Sequence, residues 1–193
     1  DSVSKKVKNQ YEENPYPRWT NLGLSFEPRA IKDVIKDINL DVDLKKLNFS
    51  KNAEILIAGC GTGQHAITTA SKYKKAEILA LDLSFNSLAY AKRKAEELNC
   101  NNIKFIQGDL LDLRKLDKKF DIIESVGVLH HMADPLLGWE CLTDCLKKDA
   151  LMLIGLYSEK ARENIANIRE KINSLKIKTT KKNIINFRKD IFE

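Results

Sequence analysis

The sequence predicts an α/β fold in which a doubly wound, mostly parallel sheet carries helices on both faces. Short apolar segments typical of buried strands alternate with segments of helical composition through the middle of the 193-residue chain. Because parallel neighbouring strands require a crossover connection, usually a helix, this alternation favours a parallel sheet. Five of the eight glycines also follow predicted strands, where the chain has to turn: Gly59, Gly61, Gly63, Gly108 and Gly127.

Five segments have the composition of buried strands, namely residues 54–58, 76–81, 103–107, 120–126 and 151–157. Helices are predicted between them for residues 62–72, 84–98 and 135–146. The second of these helices starts at Ser84, a residue type that caps helix amino ends, and continues through strong helix formers. Residues 53–158 are therefore predicted to be the core of the protein.

The segments on either side of this core are predicted to be mainly helical. Residues 2–13 form a predicted helix that stops at Pro15 and Pro17, since two prolines so close together exclude a continuous helix. A second helix is expected over residues 28–38, with Pro28 in its first turn, and residues 159–175 and 180–191 also have helical patterns. We therefore expect an N-terminal arm or lid (residues 1–52), the core, and C-terminal helices (residues 159–193).

Charge and hydropathy exclude several classes of protein. The net charge is +6, but the lysines are scattered along helical stretches without interleaved aromatics, so solvated helix faces are favoured over nucleic-acid binding. No apolar run approaches the roughly 20 residues that a membrane helix needs, and residues 1–14 show no secretory signal. We expect a protein that binds neither nucleic acid nor membrane, and the oligomeric state stays open.

The four cysteines show neither a C-x-x-C pair nor a dense disulfide pattern. Cys141 and Cys145 would share one helix face, where a metal or redox pair is conceivable, but burial as small hydrophobic residues is favoured. We therefore expect no metal site and a reducing, cytoplasmic environment.

Candidate binding residues follow the first three predicted strands, because ligands of open parallel sheets bind at the carboxyl ends of the strands. The first strand is followed by the glycine loop, residues 59–63 (Gly-Cys-Gly-Thr-Gly), which lets backbone N–H groups approach a ligand at a helix amino end. Asp82 follows the second strand and could accept hydrogen bonds from both hydroxyls of a ribose. Asp109 follows the third strand and could receive an exocyclic amine. This constellation predicts a nucleoside cofactor.

The residue after the glycine loop narrows the choice of cofactor. A dinucleotide fingerprint that starts at Gly59 would need Gly or Ala at position 64, where helix and strand pack closely beside a pyrophosphate. Position 64 is Gln, and no P-loop Lys follows the loop. This pattern argues against NAD, FAD and ATP and favours a cofactor with ribose and adenine but without phosphates.

Residues 55–63, 79–84, 105–110 and 120–131 resemble successive motifs of class I S-adenosylmethionine-dependent methyltransferases, which have a Rossmann-like core. The resemblance implies that the glycine loop holds the methionine part of S-adenosylmethionine, that Asp82 binds the ribose, and that the turn after the fourth strand lies under the sulfonium. Asp109 would bind the adenine amine, with Leu110 beside it. Together with two arm residues, the implied cofactor-binding set is Gly59, Cys60, Gly61, Thr62, Gly63, Gln64, Asp82, Leu83, Asp109, Leu110, Ser125, Val126, Tyr16 and Arg18. Residues 10–19 and 155–158 also resemble methyltransferase domains often fused to tetratricopeptide repeats.

The chain departs from the family's pattern at two points. Many class I methyltransferases carry an acid two residues before the first glycine, where this chain has Ile57, so one contact toward the methionine end of the cofactor is expected to be missing. The family usually ends in a sixth and a seventh strand, whereas only helical patterns follow Tyr157 here. Because the first residue is also not Met, we expect either a trimmed chain or a piece of a larger protein. The two last strands are expected to have been removed with the C-terminal part or to be supplied by something else.

Two histidines are the candidates for acid–base chemistry. A general base is needed only when the methyl acceptor loses a proton, and His131 or His130, just after the fourth strand, could take that role. The alternative for this pair is that one histidine caps the following turn. His65, two residues after the glycine loop, is expected to orient that loop.

Aromatic residues outside the sheet pattern are assigned to the arm and to the core. The arm contains three aromatic residues and one arginine, which we interpret either as a lid over the cofactor or as a surface-packing arm: Tyr11, Tyr16, Arg18 and Trp19. Trp139 lies in a predicted helix and is expected in the core.

These observations predict an S-adenosylmethionine-dependent methyltransferase with an unknown acceptor. A small-molecule acceptor is favoured because no RNA-reading module is visible, while a protein acceptor stays open. One alternative is a cofactor-binding module that is not catalytically competent alone. A nicotinamide-dependent oxidoreductase is the second alternative, which Gln64 disfavours.

Overall fold

The computed structural model describes residues 2–25, 27–178 and 180–192. They form two compact units, residues 1–156 and residues 157–193. The first unit contains a five-stranded, all-parallel sheet with the strand order β3-β2-β1-β4-β5. Its strands are β1 (Ala53–Ala58), β2 (Ala76–Asp82), β3 (Ile103–Gln107), β4 (Phe120–Val126) and β5 (Leu146–Gly155). The predicted doubly wound α/β fold is therefore confirmed.

Helices flank both faces of this sheet. Those of the first unit are α1 (Ser2–Glu13), α2 (Ile31–Asp37), α3 (Gln64–Lys72), α4 (Phe85–Glu97) and α5 (Pro135–Asp144), with short 3₁₀ helices at Leu110–Leu116 and Leu129–His131. The second unit contains a 3₁₀ turn (Lys160–Arg162), α6 (Glu163–Ser174) and α7 (Lys181–Phe192). As predicted, Ser84 caps α4, because its hydroxyl accepts a hydrogen bond from the N–H of Ser87.

Two hydrophobic clusters cover the two faces of the sheet. Alternate residues of β1 point to opposite faces, so that Ile55 and Ile57 pack with α2 and α3 while Leu56 packs with α5. Both clusters exclude solvent from the centre of β1, where Ile55 and Leu56 are fully buried. Cys141 and Cys145 are free thiols in the α5 cluster, consistent with their predicted role as small hydrophobic residues.

Two element boundaries were predicted wrongly at the start of the chain and after the glycine loop. The helix predicted over residues 28–38 begins only at Ile31, because Arg29 is extended and forms a parallel bridge with Tyr73. Pro28 is therefore outside the helix. Similarly, α3 begins at Gln64 instead of Thr62, because the last residue of the glycine loop, Gly63, is in the left-handed conformation.

Three further corrections concern α5, β5 and α6. The strand predicted over residues 151–157 begins at Leu146, which pairs with Phe120 before an irregularity in the register, and it ends at Gly155. The preceding helix, predicted to reach residue 146, therefore ends at Asp144. Trp139 was predicted in the core but is 40% exposed, because the buried face of α5 carries Gly138, Cys141 and Leu142. The residues predicted as one helix from 159 begin instead with the 3₁₀ turn, and α6 starts at Glu163.

The edges of the sheet are formed by β3 and β5, and within the described residues no antiparallel strand follows β5. None of the helices in the described parts of the chain is both long and apolar enough to cross a membrane. The functional division of the chain into arm, core and C-terminal helices stays a prediction.

A buried carboxylate holds the amino ends of β1 and β4 together. Asp121 on β4 accepts hydrogen bonds from the N–H groups of Ser50 and Glu54 and from the Ser50 hydroxyl, at 2.8–3.1 Å. The Lys147 ammonium group on β5 lies 2.9 Å from Asp121 and 3.0 Å from Glu54. Burial acts to raise the pKa of Asp121, but the Glu54 and Ser50 N–H groups and Lys147 outweigh it and keep this pKa below its ordinary value.

Replacing Asp121 by Asn is expected to lower the free energy of unfolding by about 3 kcal/mol, since loss of one partner leaves buried charges and donors unsatisfied. Urea unfolding at pH 7 measures the effect. Because the folded-state pKa of Asp121 is lowered, its stabilisation is present above the ordinary pKa of an Asp and is lost as the pH falls through the lowered value. The exposed Asp41→Asn control should change stability by less than about 0.5 kcal/mol. Equal stability of the Asp121→Asn variant and the parent protein at pH 7 would contradict this role.

Candidate functional site

The candidate site lies at the carboxyl ends of β1 and β4, where the order of the strands reverses. The glycine loop follows β1, and a turn at Gly127 follows β4. The two segments touch, since a Cβ on Gly59 would lie only 2.3 Å from Cγ2 of Val128. The topology therefore brings the motifs predicted after β1 and β4 together at the carboxyl ends of the strands.

The close approach of α4 explains why the glycine loop ends in glycine. Gly63 has φ +86°, a conformation that side chains other than glycine rarely adopt, and it precedes the first residue of α3. A Cβ on Gly63 would lie 2.6 Å from the Cβ of Ala91 on α4. No side chain caps the amino end of α3, so its first N–H groups have no capping side-chain acceptor.

Asp82 joins the glycine loop to the end of β2. One carboxylate oxygen accepts a 2.7 Å hydrogen bond from the Gly61 N–H, and the other accepts a 2.9 Å bond from the Ser84 N–H. Burial raises the pKa of Asp82 above its ordinary value, although the backbone N–H groups of Ser84, Gly61 and Leu83 favour the charged form. Each oxygen retains a lone pair that could accept a ligand hydroxyl.

The arm packs directly on the glycine loop. The Thr62 hydroxyl donates a 2.5 Å hydrogen bond to the Pro17 carbonyl, and the Trp19 indole N–H donates to the Thr62 carbonyl at 3.2 Å. The Tyr16 carbonyl lies against Gly61. Trp19 is buried beside Tyr90 of α4, whose hydroxyl donates to the Trp19 carbonyl, whereas the Tyr16 and Arg18 side chains are exposed.

A second contact of the arm reaches the amino end of α4. The Glu12 carboxylate accepts hydrogen bonds from the N–H groups of Phe85 and Asn86, each at 2.9 Å, and the Asn86 amide donates to the Glu12 carbonyl. A carboxylate at a helix amino end is favourable because unpaired N–H groups and the helix dipole both point toward it. Since α1 buries no side chain, this polar contact is a principal attachment of the helix.

Further predicted cofactor-binding residues follow β2 and β3, at the same carboxyl ends of the strands. The Asp109 carboxylate accepts a 3.0 Å bond from the Leu111 N–H and so begins the 3₁₀ helix, while Leu110 is buried. The Leu83 carbonyl accepts a hydrogen bond from the Gln107 amide.

The residues at the end of β4 differ in their exposure. The hydroxyl of the buried Ser125 donates to the Ala58 carbonyl at 3.2 Å, whereas Val126 is 46% exposed. The His130 and His131 rings follow in the 3₁₀ helix with centroids 4.3 Å apart. Tyr11 of α1 approaches the His131 ring edge-on at 6.4 Å. Asp134 caps α5, since its carboxylate accepts from the Leu136 and Leu137 N–H groups.

Sequence reasoning missed one residue of the site, Glu124. Its side chain is 8% exposed, and its Oε2 oxygen lies 2.7 Å from both His65 Nε2 and Thr69 Oγ1 of α3. Burial acts to raise the pKa of Glu124, but the hydrogen bond and charge of His65, together with Thr69, keep it below the ordinary value. The available signal was a second acid, after Asp121, within a strand predicted to be buried, because a buried carboxylate requires partners.

Replacing Gly63 by Ala is expected to cost about 2 kcal/mol of stability, since the new Cβ meets Ala91 and the backbone is strained. Urea unfolding measures this cost. Adding Ala91→Gly should recover the steric part but leave the strain of the positive φ. The control Gly23→Ala introduces a Cβ with nothing within 4 Å and should be close to neutral. A Gly63→Ala protein as stable as the Gly23→Ala control would refute the close-approach argument.

Comparisons with known proteins identify the family of this chain. A family profile described as "Methyltransferase domain" matches residues 49–190. An uncharacterised protein of Synechococcus sp. is 38% identical over 119 residues, which are 61% of this chain and 28% of that protein. The (S)-coclaurine N-methyltransferase of Papaver somniferum is 26% identical over 115 residues, which are 60% of this chain and 32% of that enzyme. The chain thus spans about a third of the length of these curated relatives.

A solved structure shares the fold. The structure of PKMT2 from Rickettsia typhi in complex with AdoHcy superposes with a TM-score of 0.56 at 22% sequence identity, covering 77% of this chain and 31% of that one. The resemblance predicted from the motifs at the strand ends is confirmed by the profile match. Because that match covers well over half of the residues, the chain belongs to the methyltransferase domain family.

Proposed function

We propose that this chain is an S-adenosylmethionine-dependent methyltransferase that acts on a small molecule. The observation that carries the proposal is the arrangement around Asp82, in which one carboxylate fixes the bend of the glycine loop and keeps lone pairs for two sugar hydroxyls. The name of the coclaurine N-methyltransferase relative supports methylation of a small molecule.

The residues at the strand ends fit a nucleoside cofactor that carries an amino-acid tail. Asp82 would accept the ribose hydroxyls, and Asp109 would accept the adenine amine with Leu110 beside the ring. The backbone of the glycine loop would hold the methionine part next to the uncapped start of α3. Thr62 would contribute through its backbone, because its hydroxyl is already bonded to Pro17.

Catalysis would depend on positioning more than on acid–base chemistry. When bound, S-adenosylmethionine supplies an electrophilic methyl group, and holding the acceptor in line with it supplies much of the rate enhancement. His131 would take a proton from an acceptor that must lose one, with His130 as the second candidate. Tyr11 lies beside His131 and would limit the space for the acceptor.

The arm would act as a lid that excludes water from the site. Three contacts support this role: Pro17 with Thr62, Trp19 with Tyr90, and Glu12 with the start of α4. The exposed side chains of Tyr16 and Arg18 would then reach the cofactor or the acceptor. Since Trp19 is buried, it anchors the lid and does not contact ligands.

A second candidate is a cofactor-binding module that needs further residues for turnover. The exposure of Leu153 on the edge strand β5 favours this second candidate. Proteins usually cover an apolar edge strand, and the further residues would cover this one. A turnover assay separates the two candidates: a longer protein that includes this chain would methylate an acceptor that residues 1–193 alone cannot.

Asp82→Asn is expected to weaken the binding of S-adenosylhomocysteine by roughly 10- to 100-fold, because a charged acceptor of two hydroxyls is lost. Isothermal titration calorimetry measures the affinity, with Asp112→Asn on the exposed surface as the control. NADH should not bind the parent protein, because Gln64 occupies the position where a pyrophosphate needs a small residue. Tight binding of NADH without binding of S-adenosylhomocysteine would refute the proposed function in favour of an oxidoreductase.

Tyr16→Ala and Arg18→Ala are each expected to weaken cofactor affinity or turnover severalfold, since a lid contributes contacts and excludes water. The same calorimetric titration and an initial-rate assay measure the two effects. Leu40→Ala, an exposed substitution between α2 and β1, serves as the control. Unchanged affinity and turnover in both arm variants would discard the lid.

A further inference from the structure

Glu124 is placed between the two ends of the glycine loop. In the register of β1 and β4 it pairs with Ile57, two residues before Gly59, and adjacent strands lie about 4.8 Å apart. Its partner His65 is the second residue of α3, two residues after Gly63. The carboxylate is therefore adjacent both to the strand that leads into the loop and to the helix that follows it.

The hydrogen bonds of Glu124 use only one of its two oxygens. His65 and Thr69, four residues apart on one face of α3, both bind Oε2. Within the described ranges no hydrogen bond to Oε1 is found. His65 and Thr69 partner one oxygen of this nearly buried carboxylate. A ligand donor at the second oxygen would complete the pairing of a charge that is costly to bury without partners.

The charged groups around Glu124 indicate which part of a ligand would bind there. A fixed carboxylate favours a cation, and its pKa below the ordinary Glu value keeps it ionised at neutral pH. The uncapped N–H groups at the start of α3 favour an anion only a few residues away. An amino-acid zwitterion has both charges close together, because its ammonium and carboxylate groups are attached to the same carbon atom.

We propose that the Glu124 carboxylate, positioned by His65 and Thr69, binds the α-ammonium group of the cofactor's amino-acid tail. This inference rests on the proposed function, which supplies a cofactor with such a tail. Glu124 thereby provides, from the neighbouring strand, the negative charge that Ile57 cannot provide.

Three ligands that differ only in the tail test this assignment by calorimetry. S-adenosylhomocysteine carries both tail charges, its decarboxylated amine carries only the ammonium group, and 5′-methylthioadenosine carries neither. Glu124→Gln should weaken the first two by roughly tenfold or more and leave 5′-methylthioadenosine within about twofold. Thr69→Val, which keeps the charge and removes one of the two anchoring bonds, should have a smaller effect in the same direction.

The pattern across the ligands separates a binding role from a structural one. Equal weakening of all three ligands, or of none, in the Glu124→Gln protein overturns the assignment. Parent protein that binds none of the three would refute the proposed function together with this inference. Parent protein that binds all three, with unchanged Glu124→Gln affinities, would refute the inference alone.

Discussion

The hydrogen bond between the Gly61 N–H and the Asp82 carboxylate is the constraint on which the rest of the site depends. It ties the bend after β1 to the end of β2, so that the glycine loop has one defined shape. The same carboxylate accepts from Ser84, which begins α4, and α4 in turn packs against Gly63 through Ala91. Loop, helix start and carboxylate therefore form one rigid unit around the place where a nucleoside is expected to bind.

The arm illustrates how a helix without a buried side chain is held in place. A principal attachment is polar: the Glu12 carboxylate accepts hydrogen bonds from the N–H groups at the start of α4. Trp19 adds the apolar contribution, because its ring is buried between the glycine loop and Tyr90. Attachments of this kind are individually weak, which is compatible with the lid role proposed for the arm.

Carboxylates at the two ends of the sheet have different surroundings. At the amino ends of the strands, Asp121 is surrounded by donors and by Lys147, which suits a purely structural role. At the carboxyl ends, Glu124 is buried and Asp82 is partly buried, yet each retains acceptor capacity beyond its bonds to the protein. Incomplete pairing of a buried charge costs stability. Ligands of parallel sheets bind at the carboxyl ends of the strands, where a ligand can provide the missing partner.

The sequence by itself determined the five strands, most element boundaries and the residues that follow the strands, because hydrophobic periodicity and glycine placement are local signals. Only the tertiary structure decided which strands are neighbours, and hence that Glu124 stands beside Ile57 and reaches His65. The exposure of Trp139 and the late start of α2 were decided in the same way, by packing and by the bridge from Arg29 to Tyr73. Contacts between residues distant along the chain depend on strand order and helix rotation, which a local pattern of residue types does not specify.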